Sequence, residues 1–123
     1  MQINSWRDLE VYQAAFFLQQ HIFTLSKTWP KDEKFSLTDQ IRRSSRSIGA
    51  NIAETWAKRR YPAHFLSKLT DSDGELQETL HWLESAKACE YLASEHSYEL
   101  EQLVSQVGSQ LGSMINRHET FCF

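Results

Sequence analysis

The chain has 123 residues, enough for one domain with a sizeable core, and its 41% hydrophobic and 24% charged residues exclude a disordered protein. Its formal net charge is −3, its two cysteines match no metal or redox spacing, and no apolar run approaches the ~20 residues of a membrane span. The first residues lack the apolar centre of a signal peptide, so we expect a cytoplasmic protein with reduced cysteines and no membrane partner.

The first predicted helix covers about residues 6–27. Its apolar residues recur at spacings near three, four and seven, which is the period of a helix packed against a core. Ser5 and Asp8 resemble an acidic capping box at its start. Pro30 blocks the helix in the loop that follows, because proline lacks the backbone N–H that a helix needs.

The second predicted helix covers about residues 37–60 and opens after Ser36, which is followed three positions later by an acid. Its apolar stripe is about a quarter-turn wide. The stripe consists of Leu37, Ile41, Ile48, Ile52 and Trp56. Because Pro62 pushes the residue before it out of helical conformation, we expect this helix to continue smoothly to Arg60 and to end there.

Two further helices are predicted over about residues 63–92 and 97–118. Leucines at helical spacing form the core stripe of the third helix, and leucine, valine, methionine and isoleucine form that of the fourth. No segment has the alternation of a strand or the composition of a linker. The sequence therefore predicts an all-α fold, a single domain over residues 1–123 that forms an up-down antiparallel four-helix bundle.

Two segments resemble a known family. Residues 40–54, QIRRSSRSIGANIAE, resemble the signature of the bacterial four-helix bundle proteins encoded by intervening sequences in 23S rRNA genes, and residues 71–92 resemble that family's third helix. The resemblance implies a cytoplasmic bundle that assembles as a ring-like homo-oligomer, a pentamer. It also implies similarity to the accessory proteins of diversity-generating retroelements, strongly basic pentamers that engage a reverse transcriptase and nucleic acid. For most of the family no biochemical activity is established.

Basic residues are concentrated in the second predicted helix. Between positions 37 and 60, six basic residues accompany two acidic ones, a local charge of +4 that leaves −7 for the rest of the chain. On a helical wheel Arg42, Arg46 and Arg60 share one flank of the apolar stripe. A phosphate-binding surface on this flank would make RNA, DNA or a nucleic-acid enzyme the partner, and a ring would raise its avidity by repetition.

The alternative is that the basic helix is neutralised inside the bundle. An antiparallel hairpin about Tyr61 would place Arg43 near Glu78. The interhelix polar network predicted in this way consists of Arg43, Ser47, Asn51, Asp71, Glu75 and Glu78. The protein would then be a purely structural or protein-binding assembly, with exposed pairs that contribute ~0–1 kcal/mol each and fix register more than stability.

Small residues on the second helix, Gly49 among them, would let another helix approach closely. Trp82 lies off the leucine stripe of the third helix, where it is either the edge of a wide core or an interface anchor. The candidates for an oligomer interface are Ala50, Ala53, Ala57 and Trp82. Phe121 and Phe123 follow the last helix, and we expect them to dock onto apolar surface of their own or an adjacent subunit.

The sequence contains no catalytic signature. Glu78 and His81 form a Glu-x-x-His motif of the kind found in di-iron bundles, but such sites need a second motif and two more inward glutamates. The five histidines are scattered, and no serine or cysteine lies in a nucleophile motif. We therefore expect no enzyme, no metal and no cofactor, but a non-enzymatic, oligomeric binding or scaffold protein.

Overall fold

The computed structural model describes residues 2–123, which form four α-helices: α1 (Glu10–Ser26), α2 (Leu37–Thr55), α3 (Pro62–Ala88) and α4 (Ser94–Asn116). Short 3-10 turns lie at Trp6–Asp8, Lys31–Glu33, Trp56–Lys58 and His118–Phe121. The described residues contain no β-strand. The prediction of an all-α fold with four helices is confirmed.

The helices follow one another around the bundle in chain order. α1 and α3 each pack against α2 and α4, and the most extensive contact joins α2 to α3. The hydroxyl groups of Ser44 and Thr79 lie 2.9 Å apart, and Ser72 Oγ donates to the carbonyl oxygen of Ile48 at 2.8 Å. Since residue numbers rise along α2 as they fall along α3, this pair is antiparallel in the predicted register.

The apolar stripe of every helix faces one common core. Each fully buried aliphatic or aromatic side chain contributes roughly 1.5–3 kcal/mol relative to exposure. The largest of these side chains are Leu18 and Ile22 of α1, Ile41, Ile48 and Ile52 of α2, Phe65, Leu69 and Leu76 of α3, and Leu100, Val107 and Leu111 of α4. The period of three to four in the sequence has therefore located the core on all four helices.

Small residues of α2 serve close packing inside the bundle. Ser44 and Ser45 are each 1% exposed, and a side chain that began at Gly49 would lie 3.4 Å from the Tyr12 ring of α1. The buried hydroxyl groups do not remain unpaired, because Ser44 pairs with Thr79 and also donates to the carbonyl of its own preceding turn. Ser44, Ser45 and Gly49 thus let neighbouring helices of the same chain pack closely against α2.

The start of α1 and the end of α2 differ from the prediction. Ser5 and Asp8 do form a capping box, but it caps the start of the 3-10 turn Trp6–Asp8 and not that of α1. Leu9, which has extended backbone geometry, separates the turn from α1. α2 does not continue to residue 60. The last turn tightens into the 3-10 turn Trp56–Lys58, because the chain must reverse before Pro62, which occupies the first turn of α3.

α3 ends at Ala88, four residues before the predicted end, because Glu90 adopts left-handed backbone geometry with φ at 63°. The backbone N–H of Tyr91 donates to the carbonyl of Ala86 at 2.9 Å, and that of Glu90 donates to Lys87 at 3.0 Å. These two bonds form a Schellman motif, which satisfies carbonyls at a helix end. Glycine usually occupies the left-handed position, so glutamate gave no signal in the sequence.

Tyr91 also ties this helix end to the loop between α1 and α2. Its hydroxyl donates to Glu33 Oε2 at 2.9 Å, while Ser36 Oγ donates to the other carboxylate oxygen at 2.6 Å. The hydrogen bond to Glu33, with some desolvation, raises the pKa of Tyr91 to about 12. The bonds from Ser36 and Tyr91 hold the pKa of Glu33 below its ordinary value.

Candidate nucleic-acid interface

The basic flank of α2 lies over an aromatic ring of α1. The guanidinium carbon of Arg42 lies 4.8 Å from the centroid of the Phe23 ring, and that of Arg46 lies 5.6 Å from it. The two arginines are four positions apart and therefore occupy one face of the helix. The structure thus brings together two of the three arginines that the helical wheel had grouped.

The end of α1 adds a third cation, which the sequence analysis missed. Lys27 Nζ lies 4.8 Å from the centroid of the same Phe23 ring. Lys27 follows Phe23 by one helical turn, and this spacing is the signal that could have predicted the contact. We call Phe23, Lys27, Arg42 and Arg46 the Phe23 cluster.

Ser26 fixes the orientation of Arg42 in the Phe23 cluster. Its hydroxyl oxygen is buried and accepts a hydrogen bond from Arg42 Nε at 2.9 Å. This bond uses one of the five N–H donors of the guanidinium, so the two terminal nitrogens keep their four donors for another acceptor. No carboxylate between residues 2 and 123 forms an ion pair with any of the three cluster cations.

Arg60 lies away from the Phe23 cluster. Its guanidinium carbon is 6.0 Å from the centroid of the Tyr61 ring, in the turn that follows α2. The helical stretch between Arg42 and Thr55 alone covers about 20 Å at 1.5 Å per residue. Because the α-helix ends at Thr55, the wheel angle assigned to Arg60 does not apply, and the three arginines do not form one continuous surface.

The polar network predicted between α2 and α3 has other partners in the structure. Asn51 Nδ2 donates to the carbonyl oxygen of Ser47 in its own helix at 2.9 Å, and Glu78 accepts from Trp82 Nε1 at 3.1 Å. Arg43 forms no ion pair within the described part of the chain. No ion pair therefore joins Arg43 to Glu78 within the described residues, and the predicted interhelix network is corrected at Arg43, Asn51 and Glu78.

Lys68 of α3, rather than Arg43, forms the ion pair that links α2 to α3. Its Nζ lies 2.7 Å from Glu54 Oε2 and 3.8 Å from Asp71 Oδ2, and the bond to Glu54 raises the pKa of Lys68. Burial and the charges of neighbouring acids raise the pKa of Glu75, although the charge of Arg43 lowers it. Lys68 thus pairs with one acid of α2 and one of α3, and none of the ion pairs within residues 2–123 contains an arginine of α2.

The interface candidates differ in exposure. Ala50 is exposed on α2, Ala57 is exposed in the 3-10 turn that follows, and Ala53 is half-buried. Trp82 is also half-buried, since its ring packs against the core and lies 4.8 Å from the ring of His81. Two exposed small side chains therefore lie on this segment, Ala50 on α2 and Ala57 in the turn after it.

Phe121 docks onto its own subunit, whereas Phe123 is largely exposed. The Phe121 ring stacks on Phe65 with a centroid distance of 6.0 Å and lies 6.5 Å from Trp56. Phe123 is 82% exposed, and its main contact is with Arg59, whose guanidinium carbon lies 4.9 Å from its ring centroid. The expected docking of the chain end is thus confirmed for Phe121 only.

The described residues offer little for metal chemistry. From residue 2 to 123, no three histidine, cysteine or acidic side chains lie close enough to hold a metal ion. Glu78 and His81 both contact Trp82, the first by a hydrogen bond and the second by its ring edge. None of the helices in this range is long and apolar enough to cross a membrane.

Comparison with known proteins shows a family match and a likeness to a solved structure. The model of the 23S rRNA-intervening sequence protein family matches residues 7–113. A 1.70 Å crystal structure of a protein with unknown function from the S23 ribosomal protein family of Bacteroides thetaiotaomicron superposes with a TM-score of 0.77 at 30% sequence identity. The match covers 86% of this chain and 95% of that one. No curated protein matches the chain.

Proposed function

The chain belongs to the 23S rRNA-intervening sequence protein family, and we propose that it is a non-enzymatic, cytoplasmic scaffold that assembles as a homopentameric ring and binds nucleic acid through the basic flank of α2. The partner is RNA, DNA or an enzyme that acts on nucleic acid. The proposal draws together the family, the fold and the charge distribution of the chain.

The observation that supports nucleic-acid binding is the lack of carboxylate partners around the α2 arginines. Within residues 2–123 no ion pair contains an arginine, although the chain carries 16 acidic residues. Arg42 is half-buried, and a charge that loses solvent without gaining a counter-charge costs free energy. A phosphate group supplied by a partner would remove that cost.

A fluorescently labelled single-stranded RNA and a DNA of the same sequence test this proposal by anisotropy at low salt. We expect wild type to bind and the double variant Arg42→Gln/Arg46→Gln to bind much more weakly. Lys58→Gln is the matched control, because Lys58 is exposed in the same basic segment but lies outside the Phe23 cluster. No binding of either nucleic acid by wild type would make a purely structural or protein-binding scaffold the better account.

The ring is tested by light scattering, which should give about five times the 14.4 kDa subunit mass. Ala50→Glu should lower that mass if the exposed small residues of α2 meet another subunit, because the variant would bury an unpaired charge. Ala63→Glu, on the exposed first turn of α3, is the control. A monomer in wild type would contradict the ring and the avidity that it provides.

A further inference from the structure

We propose that the Phe23 cluster, within the basic flank of α2, prefers the terminal phosphate of a nucleic-acid strand to the internal phosphodiesters of its backbone. This inference rests on the proposed function and narrows it to one site and one chemical group. It also assigns a role to Lys27, Phe23 and Ser26, and it leaves Arg60 outside the site.

Three cationic groups gather at one aromatic ring. Their centres lie 4.8, 4.8 and 5.6 Å from the centroid of Phe23. Asp39 is the acid closest in sequence on α2, one turn before Arg42, and it forms no ion pair with the cluster. Three like charges gathered in this way repel one another, and a multiply charged anion relieves that repulsion.

The charge of a terminal phosphate and its number of acceptor oxygens also suit the cluster. An internal phosphodiester carries one negative charge and two non-bridging oxygens, whereas a terminal phosphate carries about −1.5 to −2 at neutral pH and three strong acceptors. The cluster presents two guanidinium groups and one ammonium group. Guanidinium groups bind such oxygens in pairs, so a terminal phosphate matches the three cations better than a diester does.

The Phe23 cluster is also preorganised. The Phe23 ring sits between the two helices and attracts all three cations, while Ser26 Oγ accepts from Arg42 Nε at 2.9 Å. The long side chains of Lys27, Arg42 and Arg46 are therefore gathered before a ligand arrives, which lowers the entropy lost on binding. Ser26 acts as a positioning residue, because it orients Arg42 without contact with the phosphate.

The test compares two oligonucleotides of one sequence, one with a 5′-phosphate and one with a 5′-hydroxyl group, each made as RNA and as DNA. With wild type, the 5′-phosphate should lower the Kd about tenfold at low salt, which is the effect of roughly one charge-assisted pair. Arg42→Gln, Arg46→Gln and Lys27→Gln should each reduce this ratio toward one. Arg60→Gln should keep the full ratio, since Arg60 is an arginine of the same segment outside the cluster.

Two further variants separate positioning from structure. Phe23→Leu and Ser26→Ala should lower the ratio while the Kd for the 5′-hydroxyl strand and the far-UV circular dichroism stay the same. A lower affinity for both strands together would show a general structural effect and would contradict the positioning role. Equal Kd values of wild type for both strands would overturn the terminal-phosphate inference but leave the proposed nucleic-acid binding intact.

Inorganic phosphate distinguishes a strand end from a free anion. Competition at millimolar phosphate should abolish only the advantage of the 5′-phosphorylated strand. If inorganic phosphate stabilises the protein in a thermal shift assay but neither strand binds, the site serves a free anion, and both the inference and the nucleic-acid proposal are wrong.

Discussion

Glu90 gives the sharpest stability prediction in the fold, because it holds left-handed geometry at the end of α3 without being glycine. A non-glycine residue in this conformation costs roughly 1–2 kcal/mol. Replacement by glycine removes that strain, but it also raises the entropy of the unfolded chain by about 0.4–1 kcal/mol. Glu90→Gly should therefore stabilise the protein by a net of about 0.5–1 kcal/mol, since its φ is 63° and its side chain is exposed.

The matched control is the same substitution inside the helix. Glu84 is exposed within α3, where glycine disfavours the helix, so Glu84→Gly should destabilise by about 0.5–1 kcal/mol. Urea unfolding followed by circular dichroism measures both variants, at one protein concentration because assembly adds to apparent stability. In a thermal melt, 1 kcal/mol corresponds to about 3–5 °C for a chain of this size.

Opposite signs for the two variants at an unchanged m-value are the expected outcome. If Glu90→Gly destabilises as much as Glu84→Gly does, residue 90 is helical and the Schellman ending of α3 is wrong. The tie from Tyr91 to Glu33 would then also lose its geometric basis.

Three further predictions concern Tyr91, Phe121 and Gly74. The hydrogen bond to Glu33 stabilises neutral Tyr91, whose pKa of about 12 means that its contribution is complete below pH 10 and is lost as the pH rises through 12. Absorbance titration at 295 nm should therefore show one late tyrosine that Tyr91→Phe removes, and superimposable curves would disprove the bond. Phe121→Ala should cost about 2 kcal/mol through its stack on Phe65, whereas an unchanged urea midpoint would mean that the ring does not dock. Gly74→Ala, which meets no atom within 4 Å inside an α-helix, should stabilise by up to about 1 kcal/mol, and a loss of assembly would instead place another subunit there.

The sequence predicted the fold well because local rules agree with the global packing. The spacing of Ile41, Ile48 and Ile52 located the buried face of α2, and Pro62 marked the first turn of α3. The register of α2 and α3 was also predicted, since a short hairpin connection leaves little freedom. The ends of the helices were harder: Glu90 takes a position that glycine usually signals, and the last turn of α2 tightens for reasons of tertiary geometry.

The site was predictable only where its residues share one helix. Arg42 and Arg46 were grouped because they are four positions apart, but Lys27 joins them through Phe23, which belongs to another helix. The helical wheel assumed that α2 continues to residue 60, whereas the helix ends at Thr55, so the predicted position of Arg60 was wrong. Arg43 forms no ion pair with Glu78 within the described residues, and Glu78 instead accepts a hydrogen bond from Trp82 Nε1.

The salt dependence of binding tests the central claim, that the α2 arginines meet phosphate groups. For a single strand, log K should fall by about 0.7 for each phosphate contact per tenfold rise in salt. Wild type should show a steep slope, and Arg42→Gln/Arg46→Gln should be shallower by about 1.4–2 with its fold and mass unchanged. An identical slope for both proteins would contradict the claim, because the nucleic acid would then be bound elsewhere on the molecule.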